Sequence, residues 1–73
     1  MKTIIVTGGA GFIGSNFIIK NIGIYKIINI DTLTYASNKN YLKNVSKSKN
    51  YLFYKINILN TKKIINLIKK FKP

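Results

Sequence analysis

Short apolar runs rich in β-branched residues recur along the chain and predict three buried strands. These runs are Lys2–Thr7, Lys26–Ile30 and Tyr51–Ile58. Glycine or polar residues border each run, as is typical of strands that end in turns. In the segments between and after these runs, apolar residues recur every three or four positions, which indicates helices.

Three stretches have apolar residues at helical spacing, so the predicted order is β-α-β-α-β-α. The first helix follows a glycine cluster and ends near Gly23, the second spans Lys39–Val45 and is weak, and Asn60 or Thr61 caps the third. Its apolar stripe is predicted to cover the sheet, while its lysines face solvent; the stripe is Ile64, Ile65, Ile68 and Phe71. In the first helix the apolar positions are Phe12, Ile13, Phe17, Ile18 and Ile22.

Strands that alternate with helices imply a parallel sheet with right-handed crossovers. The predicted fold class is therefore α/β, and the three strands form the N-terminal half of a doubly wound parallel sheet, truncated after strand order 3-2-1. The 73 residues allow one small, partial domain, 1–73.

Composition excludes most catalytic classes. The chain has no cysteine and no histidine, and Asp31 is its one acidic residue. It therefore lacks thiolate metal ligands, a histidine base and a carboxylate pair. We predict no catalytic residue and no metal site within these residues.

The net charge of +12 has two explanations. All 13 basic residues are lysine, and Lys, Ile and Asn, whose codons can consist of A and T alone, dominate the chain. Coding bias explains this composition, and a basic patch for nucleic acid or an anionic membrane is the alternative. The absence of arginine argues against nucleic acid. We expect neither a signal peptide nor a spanning helix, and hence a cytoplasmic protein without membrane partners.

One glycine-rich segment has the chemistry of a phosphate site. Gly8, Gly11 and Gly14 follow the first strand and open the first helix. In this context the first glycine allows a tight turn, the second lets a pyrophosphate approach the backbone, and the third lets the helix pack closely on the strand. The helix N-terminus then faces the phosphates with N–H groups and a favourable dipole.

Asp31 supplies the second half of this signal. It ends the second strand, 17 residues after Gly14. A carboxylate at this point accepts hydrogen bonds from adenosine ribose hydroxyls and repels a 2′-phosphate. The alternative is a strand-end aspartate that caps a turn. The combined pattern is typical of a Rossmann fold and predicts NAD as the cofactor, in preference to NADP.

At these residues the sequence resembles the extended short-chain dehydrogenase/reductases that act on nucleotide sugars. Thr7–Gly14 reads TGGAGFIG, and Asp31–Asn38 (DTLTYASN) followed by Tyr41-Leu42 is similar to the loop of the dTDP-glucose 4,6-dehydratases. The resemblance covers the whole chain but only the first fifth or so of such an enzyme. It implies a lyase that converts dTDP-glucose to dTDP-4-keto-6-deoxyglucose, with a homodimeric parent.

The resemblance also implies individual binding roles. The backbone of Phe12 and Ile13 lies against the pyrophosphate, and Asp31 holds the ribose. The remaining implied cofactor contacts are Thr32, Leu33 and Thr34 at the ribose edge, and Asn57 and Ile58 near the adenine. Asn57 replaces the usual aspartate; its carbonyl can still accept the hydrogen bond from adenine, but without charge assistance, so we expect a modest loss of affinity. Thr32 for the usual lysine and Ser37 for the usual glycine are further departures.

The resemblance places the catalytic Tyr-x-x-x-Lys pair and the acidic pair downstream of these residues. Two local matches, Tyr35–Lys39 and Tyr51–Lys55, are expected to be fortuitous, because one lies in a loop and the other on a strand. A fourth strand, which would complete the dinucleotide crevice, is also missing. The chain alone is therefore predicted to be inactive. A fragment of another nucleotide-sugar epimerase or dehydratase, or a small basic nucleic-acid-binding module, remains the alternative.

Overall fold

The computed structural model describes residues 1–9, 11–32 and 42–73. Within these ranges lie strands β1 (Thr3–Thr7), β2 (Lys26–Asp31) and β3 (Tyr51–Lys55), and α-helices α1 (Phe12–Asn21) and α2 (Thr61–Phe71). The strands form one parallel sheet in which β2 lies between β1 and β3. The predicted α/β class and parallel sheet are confirmed. None of the helices in these ranges is long and apolar enough to cross a membrane.

The core lies on both faces of β2. Three of its isoleucines are fully buried: Ile27, Ile28 and Ile30. On one face, Ile18 of α1 belongs to a buried cluster with Ile27 and Tyr51. On the other face, the ring of Phe71 in α2 lies 6.2 Å from that of Tyr54, which is the register partner of Ile30. The two helices therefore cover opposite faces, which explains why β2 is buried on both sides from Ile27 to Asp31.

The buried side of α2 differs from the predicted stripe. Leu67 is 8% exposed, whereas Ile65 and Ile68 are 44% and 46% exposed. The predicted stripe is therefore confirmed at Phe71, which contacts the sheet, and agrees with the half-buried Ile64, whereas it is wrong at the exposed Ile65 and Ile68. Ile64, Leu67 and Phe71 share one side of the helix, and the contact between Phe71 and Tyr54 shows that this side meets the sheet.

Replacing Leu67 with alanine is expected to lower the free energy of unfolding by about 2–3 kcal/mol, because truncation of a buried leucine removes apolar contacts and leaves a cavity. Ile65→Ala on the same helix serves as the matched control and is expected to cost less than about 1 kcal/mol. Urea unfolding followed by circular dichroism measures both. Equal losses would contradict the burial of Leu67.

The second crossover is not the predicted α-helix where the structure describes it. Residues 39–41 of Lys39–Val45 lie outside the described residues, and the described part leads into a 3-10 helix at Val45–Lys47. Within it the Ser46 hydroxyl donates to the carbonyl of Lys43 at 2.9 Å.

Candidate functional site

The predicted site residues within the described ranges all follow the carboxyl ends of the three parallel strands. The glycine turn (residues 8, 9 and 11) follows β1. Asp31 is the last residue of β2 and Thr32 comes after it, and Asn57 and Ile58 follow β3. Ligands of open α/β sheets bind at this edge. Leu33 and Thr34 lie outside the described residues.

Two hydrogen bonds join the glycine turn to β2. The amide of Gly8 donates to the carbonyl of Ile30 at 2.8 Å, and the amide of Gly9 donates to Oδ1 of Asn29 at 3.0 Å. The amide of Gly11 donates back to the carbonyl of Gly8 at 3.2 Å. All three of these amides bond within the protein and hold the turn in place.

The three predicted glycines differ in the reason why a side chain is unfavourable at each position. Gly8 has a φ of 71°, a conformation that favours glycine. A Cβ on Gly14 would lie 2.5 Å from the Gly8 carbonyl oxygen and 2.8 Å from the Cα of Gly9. The helix therefore packs on the glycine turn itself, rather than on the strand as expected. A Cβ on Gly11 would meet only the Gly8 oxygen, at 3.5 Å, so no described protein atom excludes a side chain there.

Sequence analysis missed two residues of this turn, Gly9 and Asn29. A Cβ on Gly9 would collide with the side-chain oxygen of Asn29 and lie 2.6 Å from Cδ1 of Ile18. Asn29 is fully buried, and its Nδ2 donates to the hydroxyl of Tyr51 at 3.0 Å. An amide within an otherwise apolar central strand was the available signal, because a buried polar side chain needs partners.

Tyr51 remains protonated at neutral pH in this environment. Its pKa is raised above its ordinary value, chiefly because burial penalises the phenolate. The nearby Asp31 carboxylate raises the pKa further, whereas the hydrogen bond with Asn29 opposes the shift. Tyr51 and Lys55 both lie on β3, so they lack the helical spacing of a catalytic Tyr-x-x-x-Lys pair. The other match, Tyr35–Lys39, lies outside the described residues.

Asp31 follows directly on the residue that accepts the Gly8 amide. It lies two residues beyond Asn29, so the two side chains leave the same face of the sheet about 7 Å apart along the strand. Asp31 is 5% exposed, and its carbonyl accepts the Ile56 amide at 3.2 Å. The carboxylate therefore belongs to the end of β2 that borders the glycine turn. Thr32, the next residue, is half-buried.

The start of α1 differs from that of α2. Gly11 precedes α1 in an extended conformation, and no side chain caps the helix. At α2, by contrast, Oδ1 of Asn60 accepts the Lys63 amide at 3.3 Å, as predicted for the cap. The Phe12 and Ile13 side chains, predicted among the apolar positions of α1, are largely exposed. The positive end of the α1 dipole is thus accessible to an anion.

The end of β3 comes earlier than predicted. Lys55 is the last residue of β3, opposite Asp31, because β2 offers no partner beyond that point. Asn57 then turns the chain: its Oδ1 accepts the Leu59 amide at 2.8 Å. A carbonyl oxygen has two lone pairs, so one remains for a further donor. Both Asn57 and Ile58 are exposed.

The family model described as GDP-mannose 4,6 dehydratase matches residues 5–73. The chain belongs to this family. Relatives within it include the dTDP-glucose 4,6-dehydratase of Haemophilus influenzae, 42% identical over 76 residues, and the dTDP-D-glucose 4,6-dehydratase of Dictyostelium discoideum, 44% identical over 75 residues. The matches include 100% and 99% of this chain but 22% and 17% of those proteins. The chain thus spans about a fifth of their length.

Solved structures of the family share the fold of the chain. The dTDP-glucose 4,6-dehydratase of Bacillus anthracis, crystallised in complex with NAD, is 43% identical with a TM-score of 0.89, over 99% of this chain and 24% of that one. A Streptomyces venezuelae dTDP-glucose 4,6-dehydratase with NAD and TYD bound is 31% identical with a TM-score of 0.84, over 93% and 23%. The predicted resemblance is confirmed.

Proposed function

We propose that this chain is the NAD-binding segment of an enzyme of the dTDP-glucose 4,6-dehydratase type. The observation that carries the proposal is the junction of the glycine turn with β2, where Ile30 accepts the Gly8 amide and Asp31 follows immediately. The similarity to dTDP-glucose 4,6-dehydratases, two of them crystallised with NAD, supports the same function.

The residues present fit a dinucleotide. The uncapped start of α1 suits a diphosphate, and a Cβ at Gly11 would meet one described protein atom within 4 Å, so that space is open to a ligand. In this proposal the amides of Phe12 and Ile13 bind the diphosphate, and the Asp31 carboxylate accepts hydrogen bonds from the ribose hydroxyls. Thr32, Leu33 and Thr34 line the ribose edge, and Asn57 and Ile58 the adenine.

In a complete enzyme, NAD supplies reversible hydride transfer to a sugar such as that of dTDP-glucose. The residues of this chain bind and orient the cofactor. They include no histidine and no cysteine that could transfer a proton, and the one acidic residue, Asp31, is assigned to the ribose. We therefore expect no turnover of dTDP-glucose by residues 1–73 alone. A cytoplasmic, homodimeric parent is part of the proposal and rests on the resemblance.

The glycine turn alone does not distinguish a dehydratase from an epimerase of nucleotide sugars. A UDP-N-acetylglucosamine 4-epimerase from Methanobrevibacter ruminantium is 32% identical with a TM-score of 0.73, over 81% of this chain and 18% of that one. The Leu33–Ala36 segment, which resembles the dTDP-glucose loop, favours the dehydratase.

Asp31→Ala is expected to weaken NAD binding by at least about tenfold, since even one hydrogen bond to a charged acceptor contributes about 1.5–3 kcal/mol. The preference of the chain for NAD over NADP should shrink at the same time, because the carboxylate no longer repels the 2′-phosphate. Calorimetric titration of the original chain and the variant with both cofactors measures this. Equal NAD affinities would remove Asp31 from the ribose site.

The alternative, a small basic nucleic-acid-binding module, is tested by a second titration, with duplex DNA. Binding to duplex DNA through lysine contacts with phosphates would weaken steeply as salt increases. DNA binding with that salt dependence, together with no NAD binding, would favour the alternative. We expect NAD to bind and DNA binding to be weak at physiological salt.

A further inference from the structure

We propose that Asn29 is a positioning residue of the cofactor site, whose buried amide holds the Gly9 peptide in place and thereby sets where the first turn of α1 presents its amides. This inference rests on the proposed function. Asn29 lies on β2, two residues before Asp31, which is proposed to bind the ribose. The side chain of Asn29 bonds to Gly9 and Tyr51 and is not proposed to contact the cofactor. Its role is to hold the turn.

The orientation of the Asn29 amide is determined from both ends. The Gly9 N–H can only donate, so the atom 3.0 Å away must be Oδ1. Nδ2 then faces the Tyr51 hydroxyl, 3.0 Å away, and that hydroxyl accepts. A flipped amide would place two N–H donors against each other at Gly9. Tyr51 therefore keeps the acceptor oxygen directed at the turn.

Because the Gly9 amide is buried, it needs a hydrogen-bond acceptor within the protein. Asn29 is fully buried and Gly9 is also buried. An apolar residue at position 29 would leave the Gly9 amide without this acceptor, and buried N–H groups without partners are costly. The amide thus serves the turn rather than the apolar core around it.

Gly9 packs directly against α1, so the position of Gly9 affects the position of the helix. The Cα of Gly9 lies so close to Gly14 that a Cβ there would be 2.8 Å away. Gly14 is the third residue of α1, within the turn whose amides face the diphosphate. A displaced Gly9 peptide therefore displaces or loosens the amides of that turn, whereas the ribose site at Asp31 keeps its place on β2.

The test compares ADP with adenosine, because the two probes differ by the diphosphate. The variant combines Asn29→Leu with Tyr51→Phe, so that no tyrosine hydroxyl is left buried beside an apolar side chain. Asn50→Leu is the matched control: Nδ2 of Asn50 donates to the Ile22 carbonyl at 3.3 Å, at the amino end of β3 away from the turn. NMR titrations of the 73-residue chains give both affinities, and amide spectra show that each variant is folded.

The ratio of ADP affinity to adenosine affinity is expected to fall about fivefold in the double variant, the value of a typical hydrogen bond, and to stay unchanged in Asn50→Leu. An unchanged ratio in a folded double variant overturns the positioning role and leaves the proposed function standing. If the original chain binds neither ADP nor NAD, the proposed function and this inference fail together.

Hydrogen exchange of the original chain gives a test that requires no variant. The Gly9 amide is expected to exchange as slowly as the Gly8 amide, which bonds to the β2 backbone. Fast exchange at Gly9 beside slow exchange at Gly8 would show that Asn29 does not hold the turn. This result decides the proposal if the double variant does not fold.

Discussion

Gly14→Ala is expected to abolish measurable NAD binding and to lower the free energy of unfolding by about 2 kcal/mol net. Overpacking costs about 3 kcal/mol, and the better helix propensity of alanine returns about 1 kcal/mol. The new Cβ would lie 2.5 Å from the Gly8 oxygen and 2.8 Å from the Gly9 Cα. Both are backbone atoms, so no rotamer change relieves the contact, and α1 must move away from the turn.

Gly23→Ala is the matched control for this variant. A Cβ at Gly23 meets no atom within 4 Å, and its φ lies outside the left-handed region. Alanine there restricts the unfolded chain and is expected to leave stability unchanged or raise it by up to about 1 kcal/mol. Thermal unfolding and NAD titration of both variants test the contrast. Wild-type melting and affinity in Gly14→Ala would contradict the packing of α1 on the turn.

Phe12→Pro is expected to weaken NAD binding by about tenfold to a hundredfold while the fold persists. Phe12 is the first residue of α1, a position that accepts proline because first-turn N–H groups take no part in the helix's own hydrogen bonds. Gly11 precedes it with an extended ψ of 172°, which suits a following proline. The substitution removes one amide that the proposal assigns to the diphosphate, and a hydrogen bond to a charged group contributes about 1.5–3 kcal/mol.

Two further variants separate the amide from other effects. Phe12→Ala retains the N–H and removes the exposed side chain, so its affinity should lie well above that of Phe12→Pro. Thr61→Pro places proline at the first position of α2, where it also removes the hydrogen bond from the Thr61 amide to the Leu59 carbonyl (2.9 Å), so its loss of stability is an upper bound for the effect of proline at a helix start. Calorimetric titration with NAD and thermal unfolding measure all three. Equal affinities of Phe12→Pro and Phe12→Ala would exclude the amide from the diphosphate site.

Much of the fold follows from local patterns. The β-branched runs formed strands, and the glycine turn opened a helix, because period and turn chemistry are properties of neighbouring residues. The weak helix at Lys39–Val45 failed in its described part, which leads into a 3-10 helix at Val45–Lys47. The predicted extension of β3 to Ile58 failed because the length of a strand depends on its partner, and β2 ends at Asp31.

The candidate site was predictable where its residues act through local geometry. Gly8, Gly14 and Asp31 occur at spacings that a strand, a turn and a helix require, so one sequence was enough to name them. Gly9 and Asn29 were missed because their partnership spans 20 residues and exists only when β1 and β2 lie side by side. The binding roles of Phe12, Ile13, Thr32, Leu33, Thr34, Asn57 and Ile58 stay predictions that cofactor titrations can test.

By itself, the sequence determined the alternation of strands and helices, the glycine turn and the acid that follows the second strand. The tertiary structure alone decided which side of α2 is buried, where β3 ends, and that a buried amide holds the turn. The physical reason is range: periodicity and backbone preference act over a few residues, whereas burial and cross-strand hydrogen bonds depend on segments that meet only after folding.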